Sequence, residues 1–340
     1  MRWRRTNCLK RHHCLGVPAL TSENPDLLVI GAGPAGLSAA IAARRLGLSV
    51  TVLEREAEAG GAPRHCGHPG FGMLDFARLW TGPRYARALR EQADGIDLRC
   101  GHAVTRLGPG GMVMISGPGG PYELTGRRVL LASGIRETPR AARLISGGRP
   151  FGILTTGALQ RFVYLHHRLP CRNPIIVGSE IVAFSTILTL RHLGAKPRMI
   201  IDEAPKLRSM PLVALGSRLV FGVPARANVA IIAIEGEKCV EAVTFEHDGQ
   251  RQTVACDGVV FSGDWVPEAT LARLHPMGIE ATTRGPRVDA AFRTADPHIF
   301  AAGNVLRSVR SSGPCAIDGR NAARSIAADL ARTRKGSPPI

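Results

Sequence analysis

The chain has 340 residues, of which 44% are hydrophobic, so it is long enough for about two domains with ordinary apolar cores. No stretch approaches the roughly 20 consecutive apolar residues that a membrane-spanning helix needs, and we expect a soluble cytoplasmic protein. The formal net charge is +17, but the arginines are scattered and aromatic residues make up only 5%. This distribution argues against nucleic-acid binding and favours an anionic cofactor, an acidic substrate or an acidic protein partner.

The first 24 residues differ from the rest of the chain, because they are basic and contain no acidic residue before Glu23. We expect residues 1–24 to form a disordered N-terminal arm. A Cys/His group in this arm has no spacing typical of zinc ligands, so no metal site is predicted; its members are Cys8, His12, His13 and Cys14. The eight cysteines include no C-x-x-C pair, which fits reduced thiols in a cytoplasm.

A dinucleotide-binding pattern follows the arm. Residues 27–30 are fully apolar, as in a buried parallel strand, and the glycine run 31–36 leads into an alanine-rich helix. A second strand, 50–53, ends at Glu54, which lies 23 residues after Gly31 and can bind a ribose diol. The helix N-terminus would face the phosphates. The predicted contacts are Gly31, Gly33, Pro34, Ala35, Gly36, Glu54 and Arg55.

A second strand–turn–helix pattern begins with the apolar residues 174–177. Its predicted nucleotide contacts are Gly178, Ser179, Glu180 and Asp202. Glu180 takes the place of the middle glycine, so it adds a side chain and a charge where a pyrophosphate would lie. The pattern therefore leaves two alternatives, NAD binding or a Rossmann-like domain without a nucleotide. The acids at 202–203 favour NAD over NADP if a nicotinamide cofactor binds.

Three motifs in order resemble the pyridine nucleotide–disulfide reductase superfamily. They are the glycine turn at residues 31–36, residues 129–134 and residues 294–304; residues 313–315, at the start of an alanine-rich helix, follow them. The resemblance implies FAD as the cofactor, with further contacts from Ser133, Gly134, Gly303, Asn304, Pro314 and Cys315. Asn304 replaces the aspartate that contacts flavin ribitol and pyrophosphate in that superfamily, so its role is carried over without the charge.

Residues 60–85, 149–160 and 175–190 resemble a narrower group, the alpha subunits of flavin-dependent amino-acid and imino-acid dehydrogenases. Opine oxidase, hydrogen cyanide synthase and D-hydroxyproline dehydrogenase belong to this group. The resemblance implies a small amino-acid-like substrate and, as partner, a flavin-containing beta subunit. No cysteine follows Cys315, so we expect no [2Fe–2S] cluster in this chain. Cys66 has no nearby cysteine in sequence, which argues against the dithiol relay of the disulfide reductases.

The run R-H-C-G-H at 64–68 supplies the candidate catalytic residues His65, Cys66 and His68. In the superfamily the corresponding loop runs towards the flavin. A histidine there could exchange a proton during amine oxidation or bind the flavin. The alternative is that the loop only covers the cofactor, with its histidines bonded to backbone carbonyls.

The sequence as a whole predicts an α/β protein with two Rossmann-like domains. The FAD domain is expected at 25–147 and 283–335, with an NAD-binding-like domain at 148–282 inserted into it. The leading hypothesis is an FAD-dependent oxidoreductase, a subunit of an opine- or hydroxyproline-type dehydrogenase that passes electrons from substrate to flavin and on to another carrier. The alternatives are a stand-alone NADH-dependent flavoprotein reductase and a non-catalytic assembly subunit.

Overall fold

The computed structural model describes residues 24–334, and every structural statement below refers to them. The predicted arm lies outside the described residues except for Asn24, as does residue 335 of the predicted FAD domain. Among the described helices, none is long and apolar enough to cross a membrane.

The first part of the chain alternates strands and helices around a parallel sheet. Its elements are β1 (Leu27–Ile30), α1 (Pro34–Arg45), β2 (Val50–Glu54), β3 (Pro69–Phe71), α2 (Met73–Phe76), β4 (Trp80–Thr81), α3 (Gly82–Gln92), β5 (Asp97–Cys100), β6 (Ala103–Leu107), β7 (Met112–Gly117), β8 (Gly120–Thr125), β9 (Arg128–Leu131) and β10 (Ile135–Glu137). A short 3-10 turn, Ala62–His65, lies between β2 and β3.

The remaining elements build a second sheet and then return to the first. They are β11 (Ile153–Thr155), α4 (Thr156–His166), β12 (Ile175–Val177), α5 (Ile181–His192), β13 (Met199–Ile201), α6 (Pro211–Phe221), β14 (Ala225–Arg226), β15 (Val229–Glu235), β16 (Ala242–His247), β17 (Gln250–Ala255), β18 (Val259–Phe261), β19 (Trp265–Pro267), α7 (Thr270–Arg273), β20 (Ile299–Ala301) and α8 (Ser312–Arg334).

The two parallel sheets have the same design. The first has the strand order β20-β9-β1-β2-β5 and the second has β11-β18-β12-β13-β14. β1, β9 and β12 are buried along their whole length, as expected for strands covered on both faces. β20 joins the first sheet although it comes after the whole second sheet in sequence. The predicted fold, with one Rossmann-like unit inserted into a discontinuous one, is confirmed, whereas the domain limits stay predictions.

Two strands connect the sheets. β10 follows β9, β19 follows β18, and the two pair antiparallel with Glu137 opposite Trp265. The segment that leaves the first sheet, β10, therefore lies beside the segment that returns to it, β19. Each half also carries an antiparallel three-stranded sheet, β6-β7-β8 and β15-β16-β17.

A buried ion triad fastens α8 to the first sheet. The carboxylate of Asp329 on α8 binds Arg128, the first residue of β9, at 2.6 Å, and it also binds Arg293. All three side chains are at most 7% exposed. Charges removed from water in this way are tolerated only when they are paired and hydrogen-bonded. The triad thus fixes the position of α8, whose N-terminal end lies near the glycine turn after β1.

Candidate functional site

The turn after β1 has the close contacts that its glycines predict. Gly31 has φ +101°, and an added Cβ would lie 2.6 Å from the carbonyl oxygen of Ala132. Gly36 packs still more tightly, because an added Cβ would lie 1.9 Å from the carbonyl oxygen of Gly31. Gly33 is the N-cap of α1, no side chain caps this end, and the first turn holds no acidic residue. The N–H groups of this helix end are left for an anion.

The N-terminal ends of α1 and α8 meet across Gly303. An added Cβ on Gly303 would lie 2.7 Å from the Cβ of Ala35 and 3.8 Å from that of Cys315. Pro34 and Pro314 occupy the first turns of α1 and α8, where the missing N–H costs nothing. Two helix N-termini therefore approach one point, which favours a bound group with several negative charges.

The acid at the end of β2 is buried beside the same turn. Glu54 accepts hydrogen bonds from the backbone N–H of Ala32 at 2.8 Å and of Glu56 at 2.9 Å. It lies where a ribose diol would reach it, but both of its oxygens already have a backbone donor. The Arg55 side chain is 65% exposed and lies 3.9 Å from Glu56.

The other three predicted contacts make bonds within the protein. Ser133 Oγ donates to the carbonyl of Glu268 at 2.8 Å, and the carbonyl of Gly134 accepts from the N–H of Glu268. The Asn304 side chain pairs with Arg310, accepting from its N–H at 2.8 Å and donating to its carbonyl at 2.9 Å. Asn304 therefore shapes the loop that precedes α8.

Taken together, the turn after β1 fits a flavin dinucleotide. A side chain on Gly31, Gly36 or Gly303 would meet neighbouring atoms, and the N-cap position is left open by Gly33. Residues that would hold the pyrophosphate and ribose are those of the turn, the first turn of α1 and Glu54. FAD is accordingly the group for which this half of the chain has residues of the right kind.

The predicted second nucleotide site has a different interior. Gly178 keeps a positive φ of +112°, but the carboxyl group of Glu180 accepts a hydrogen bond from Ser262 Oγ inside the turn. Asp202 is 2% exposed, and its carboxylate binds Ser179 Oγ and the N–H of Ala204. The acid and the hydroxyl that a nucleotide would need are thus bonded to each other.

The candidate catalytic loop is partly buried against α4. Burial lowers the pKa of His65 to about 4, so its ring is neutral at pH 7. Burial, and then the charge of Glu137, raises the pKa of the Cys66 thiol to about 12. Cys66 Sγ lies 3.5 Å from Gln160 Oε1. His68 bonds through Nδ1 to the backbone carbonyl of Pro69 at 2.9 Å, as the covering-loop alternative expects for that histidine.

A carboxyl group that the sequence did not single out lies beside this loop. Glu137, at the end of β10, accepts from the N–H of Gly157 at 2.7 Å in the first turn of α4. Burial raises the pKa of Glu137 to about 7. The only signal in the sequence was one acid among several arginines directly after the strand–serine–glycine motif. Its burial depends on α4, which lies about 20 residues further on.

Four side chains in this region bury polar atoms that make no hydrogen bond of good geometry within residues 24–334. The atoms are His65 Nδ1, Glu137 Oε1, Gln160 Nε2 and Trp265 Nε1. Buried polar atoms are normally satisfied, so such a group calls for a ligand or water. We call His65, Cys66, Glu137, Gln160 and Trp265 the intersheet cluster. No three His, Cys, Asp or Glu side chains of the described chain are arranged to hold a metal ion.

Comparison with known proteins gives relatives of two kinds. The alpha subunit of sarcosine oxidase from Rhizobium meliloti (strain 1021) is 28% identical over 269 residues, which cover 73% of this chain and 25% of that protein. The opine oxidase of Rhizobium meliloti has a subunit that is 24% identical over 90% of this chain and 63% of its own length. Thioredoxin reductase of Treponema pallidum (strain Nichols) is 27% identical over 89% of this chain and 96% of its own length.

Solved structures share the fold. Thioredoxin reductase of T. acidophilum superposes with a TM-score of 0.74 at 22% identity, covering 91% of this chain and 99% of that one. L-proline dehydrogenase from P. horikoshii gives a TM-score of 0.65 at 17% identity, and the superposition covers 93% of this chain and 56% of that one. At these identities the likeness concerns the fold alone.

A family model described as pyridine nucleotide-disulphide oxidoreductase matches residues 25–320, which include both parallel sheets and part of α8. The match covers the glycine turn after β1, the intersheet cluster and the turn that leads to α8. The chain therefore belongs to the pyridine nucleotide-disulphide oxidoreductase family of FAD-dependent oxidoreductases.

Proposed function

We propose that the chain binds FAD at the turn after β1 and is a subunit of an amino-acid or imino-acid dehydrogenase. The observation that carries this proposal is the intersheet cluster, in which polar atoms without a hydrogen bond of good geometry are buried next to the loop predicted to run towards the flavin. Two relatives named as subunits of sarcosine oxidase and opine oxidase support the donor class. The resemblance of residues 60–85 to the alpha subunits points the same way.

The cluster has groups suited to proton transfer. Bound FAD would supply the two-electron oxidation of the donor. Glu137, with a pKa of about 7, can hold or accept a proton at Oε1 near neutral pH. The neutral ring of His65 presents Nδ1 as either a donor or an acceptor, depending on its tautomer. Gln160 and Trp265 add N–H groups that can orient a carboxylate or a carbonyl of a small substrate.

Thiol chemistry is not part of the proposal. The eight cysteines include no C-x-x-C pair, and Cys66 is held as a neutral thiol by its raised pKa. The relatives named thioredoxin reductase therefore share the family and the fold with this chain, while its cluster favours a donor that delivers electrons without a disulfide.

A flavin-containing beta subunit is the proposed partner. Two relatives are named as subunits of oxidases, and this chain spans only 25% and 63% of those proteins. The net charge of +17 favours an acidic partner surface. Electrons from the donor would enter through one protein of the pair and leave through the other.

The test is anaerobic reduction of the FAD-loaded chain by a panel of proline-like and opine amino acids, followed by flavin absorbance. We expect bleaching by at least one donor, and a rate about 100-fold lower in Glu137→Gln, which keeps the size of the side chain but not its basicity. A matched control is Glu241→Gln, a substitution at an exposed acid directly before β16 in the second half of the chain.

The outcomes separate the alternatives. Bleaching only after the beta subunit is added would assign donor oxidation to that partner and electron transfer to this chain. A flavin that no amino acid reduces, with or without the partner, would contradict the dehydrogenase assignment and favour an assembly role.

A further inference from the structure

The two Rossmann-like units can be compared position by position. Gly31 and Gly178 both have a positive φ, and an added Cβ would lie 2.6 Å and 2.9 Å from the carbonyl oxygens of Ala132 and Ser262. These carbonyls follow equivalent strands, because β9 neighbours β1 as β18 neighbours β12. The second unit thus keeps the tight turn and the sheet order on which dinucleotide binding depends.

The N-cap positions also coincide in backbone conformation. Gly33 before α1 has φ −82° and ψ −171°, and Glu180 before α5 has φ −71° and ψ 169°. The difference between them is the side chain. In the first unit this position is open to a phosphate, whereas in the second it carries a carboxyl group.

That carboxyl group lies within the turn. Its Oε1 accepts from Ser262 Oγ, and its Oε2 is 3.0 Å from the place of an added Cβ on either Gly178 or Gly263. Oε2 is buried and has no hydrogen-bond partner among the described residues. Glu180 therefore fills the space between the carboxyl ends of β12 and β18, where Rossmann folds bind the pyrophosphate.

Neighbouring residues hold this arrangement in place. Arg143 donates from its guanidinium to the carbonyls of Ser262 at 3.1 Å and Gly263 at 2.9 Å, and its side chain lies over the ring of Phe261. The segment that carries these carbonyls is fixed by those contacts. A pyrophosphate in the turn would have to displace the Glu180 carboxyl group and break its hydrogen bond with Ser262.

The third fingerprint position differs as well. Gly36 could not carry a Cβ, since it would lie 1.9 Å from the carbonyl oxygen of Gly31. Its counterpart is Ala183, whose methyl group is fully buried. The backbone of α5 must therefore lie farther from its turn than the backbone of α1 does. This position does not by itself exclude a dinucleotide, because alanine also occurs there in Rossmann fingerprints.

We infer that Glu180 closes the second Rossmann unit to NAD(H) and NADP(H) by occupying the pyrophosphate position between β12 and β18. The inference does not depend on the proposed donor. The second unit then has a structural role, because it supports α4, and with it Gln160, against the candidate catalytic loop. Glu180 is also the residue that determines which of the two sheets takes a dinucleotide.

The test is calorimetric titration of the FAD-loaded full chain with NADH and NADPH. We expect no binding by the wild type, with a Kd above about 1 mM, and a gain of at least about tenfold in affinity in Glu180→Gly. Glu180→Gln separates the two causes, since it removes the charge and keeps the bulk. Glu241→Gln is the matched control, because Glu241 is an exposed acid directly before β16 and is not among the predicted nucleotide contacts.

Each outcome decides the inference. Binding of NADH by the wild type at micromolar Kd would overturn it and favour the stand-alone reductase, even if a variant fails to fold. A folded Glu180→Gly chain that gains no affinity would overturn the assignment of closure to Glu180. Flavin content and near-ultraviolet circular dichroism, recorded on the same samples, show whether each variant is folded and whether FAD binding itself has failed.

Discussion

The two Rossmann-like units of this chain have the same strand order and the same first glycine, but they differ at the next two fingerprint positions. In the first, Gly33 leaves the end of α1 open and Gly36 brings the helix close to its strand. In the second, Glu180 and Ala183 take these positions. We infer that the fold depends on the apolar strands and the first glycine, whereas dinucleotide binding also depends on the open N-cap position that Gly33 provides.

Asp329→Ala is expected to have the largest effect on stability, because it breaks the ion triad that fixes α8 beside the turn after β1. Two buried guanidiniums, Arg128 and Arg293, would lose their shared carboxylate. We expect the free energy of unfolding to fall by about 3–5 kcal/mol, as measured by urea denaturation.

The control lies in the second unit. Arg208 pairs with Asp202 at 3.4 Å, but its side chain is 48% exposed. Because Asp202 keeps its hydrogen bonds from Ser179 Oγ and the N–H of Ala204, Arg208→Ala is expected to cost less than about 1 kcal/mol. If both variants lost the same free energy of unfolding, the buried ion triad would not stabilise the first unit more than the exposed pair stabilises the second.

Gly33→Glu makes the first unit resemble the second. The new carboxyl group would take the phosphate position at the N-terminus of α1, so we expect FAD affinity to fall at least about 100-fold, or about 2.8 kcal/mol. Flavin content after gel filtration measures the loss. Gly119→Glu is the matched control, because no heavy atom lies within 4 Å of an added Cβ there. If the Gly33→Glu chain retained FAD, the side chain at the N-cap position would not decide whether a unit binds a dinucleotide.

Glu137 makes stability depend on pH. Its pKa is raised from 4.5 to about 7 by burial, so the folded chain keeps a proton that the unfolded chain has already lost. Stability from this group is present below pH 4.5 and is lost as the pH rises through 7. We expect wild type to lose about 3 kcal/mol relative to Glu137→Gln across this window, as measured by urea denaturation.

The contribution of His65 to stability changes with pH in the opposite direction. Its pKa is lowered from 6.5 to about 4, so its contribution is present above pH 6.5 and is lost as the pH falls through 4. His65→Gln should therefore lose less stability than wild type on acidification. Parallel pH profiles for wild type and both variants would contradict the burial of the intersheet cluster.

The smallest effect is expected at the thiols. Cys66 has a pKa of about 12, whereas Cys239 in the second half of the chain is exposed. With a disulfide reagent at pH 8, Cys239→Ser should remove one fast-reacting equivalent and Cys66→Ser none. Cys66→Ser should also change the rate of flavin reduction by less than about threefold, since a neutral thiol is a poor nucleophile. A large loss of activity in Cys66→Ser would revive a thiol mechanism.

Much of the fold could be predicted from local sequence, because its signals are local. The apolar run 27–30, the glycines that follow it and the offset to Glu54 identified the first unit, and the damaged fingerprint at Glu180 identified the second as different. The chain order of the motifs also predicted that one unit is inserted into the other. These patterns reflect steric needs of a strand–turn–helix, which short stretches of sequence display.

The partners of the site residues could not be predicted in this way. Glu137 and Gln160 meet His65 and Cys66 only because β10 and α4 come back against the loop after β2. Asn304, expected at the cofactor, uses both polar atoms of its side chain on the backbone of Arg310. Such contacts join residues through tertiary packing or a particular loop shape, and single-sequence patterns carry neither.

Flavin absorbance shows most directly whether the turn after β1 holds FAD. The full chain and its Gly33→Glu variant would be incubated with FAD, passed through gel filtration and compared for bound flavin per chain. We expect one FAD per wild-type chain and almost none in the variant. A wild-type chain that emerges colourless, or a variant that keeps its flavin, would contradict this expectation.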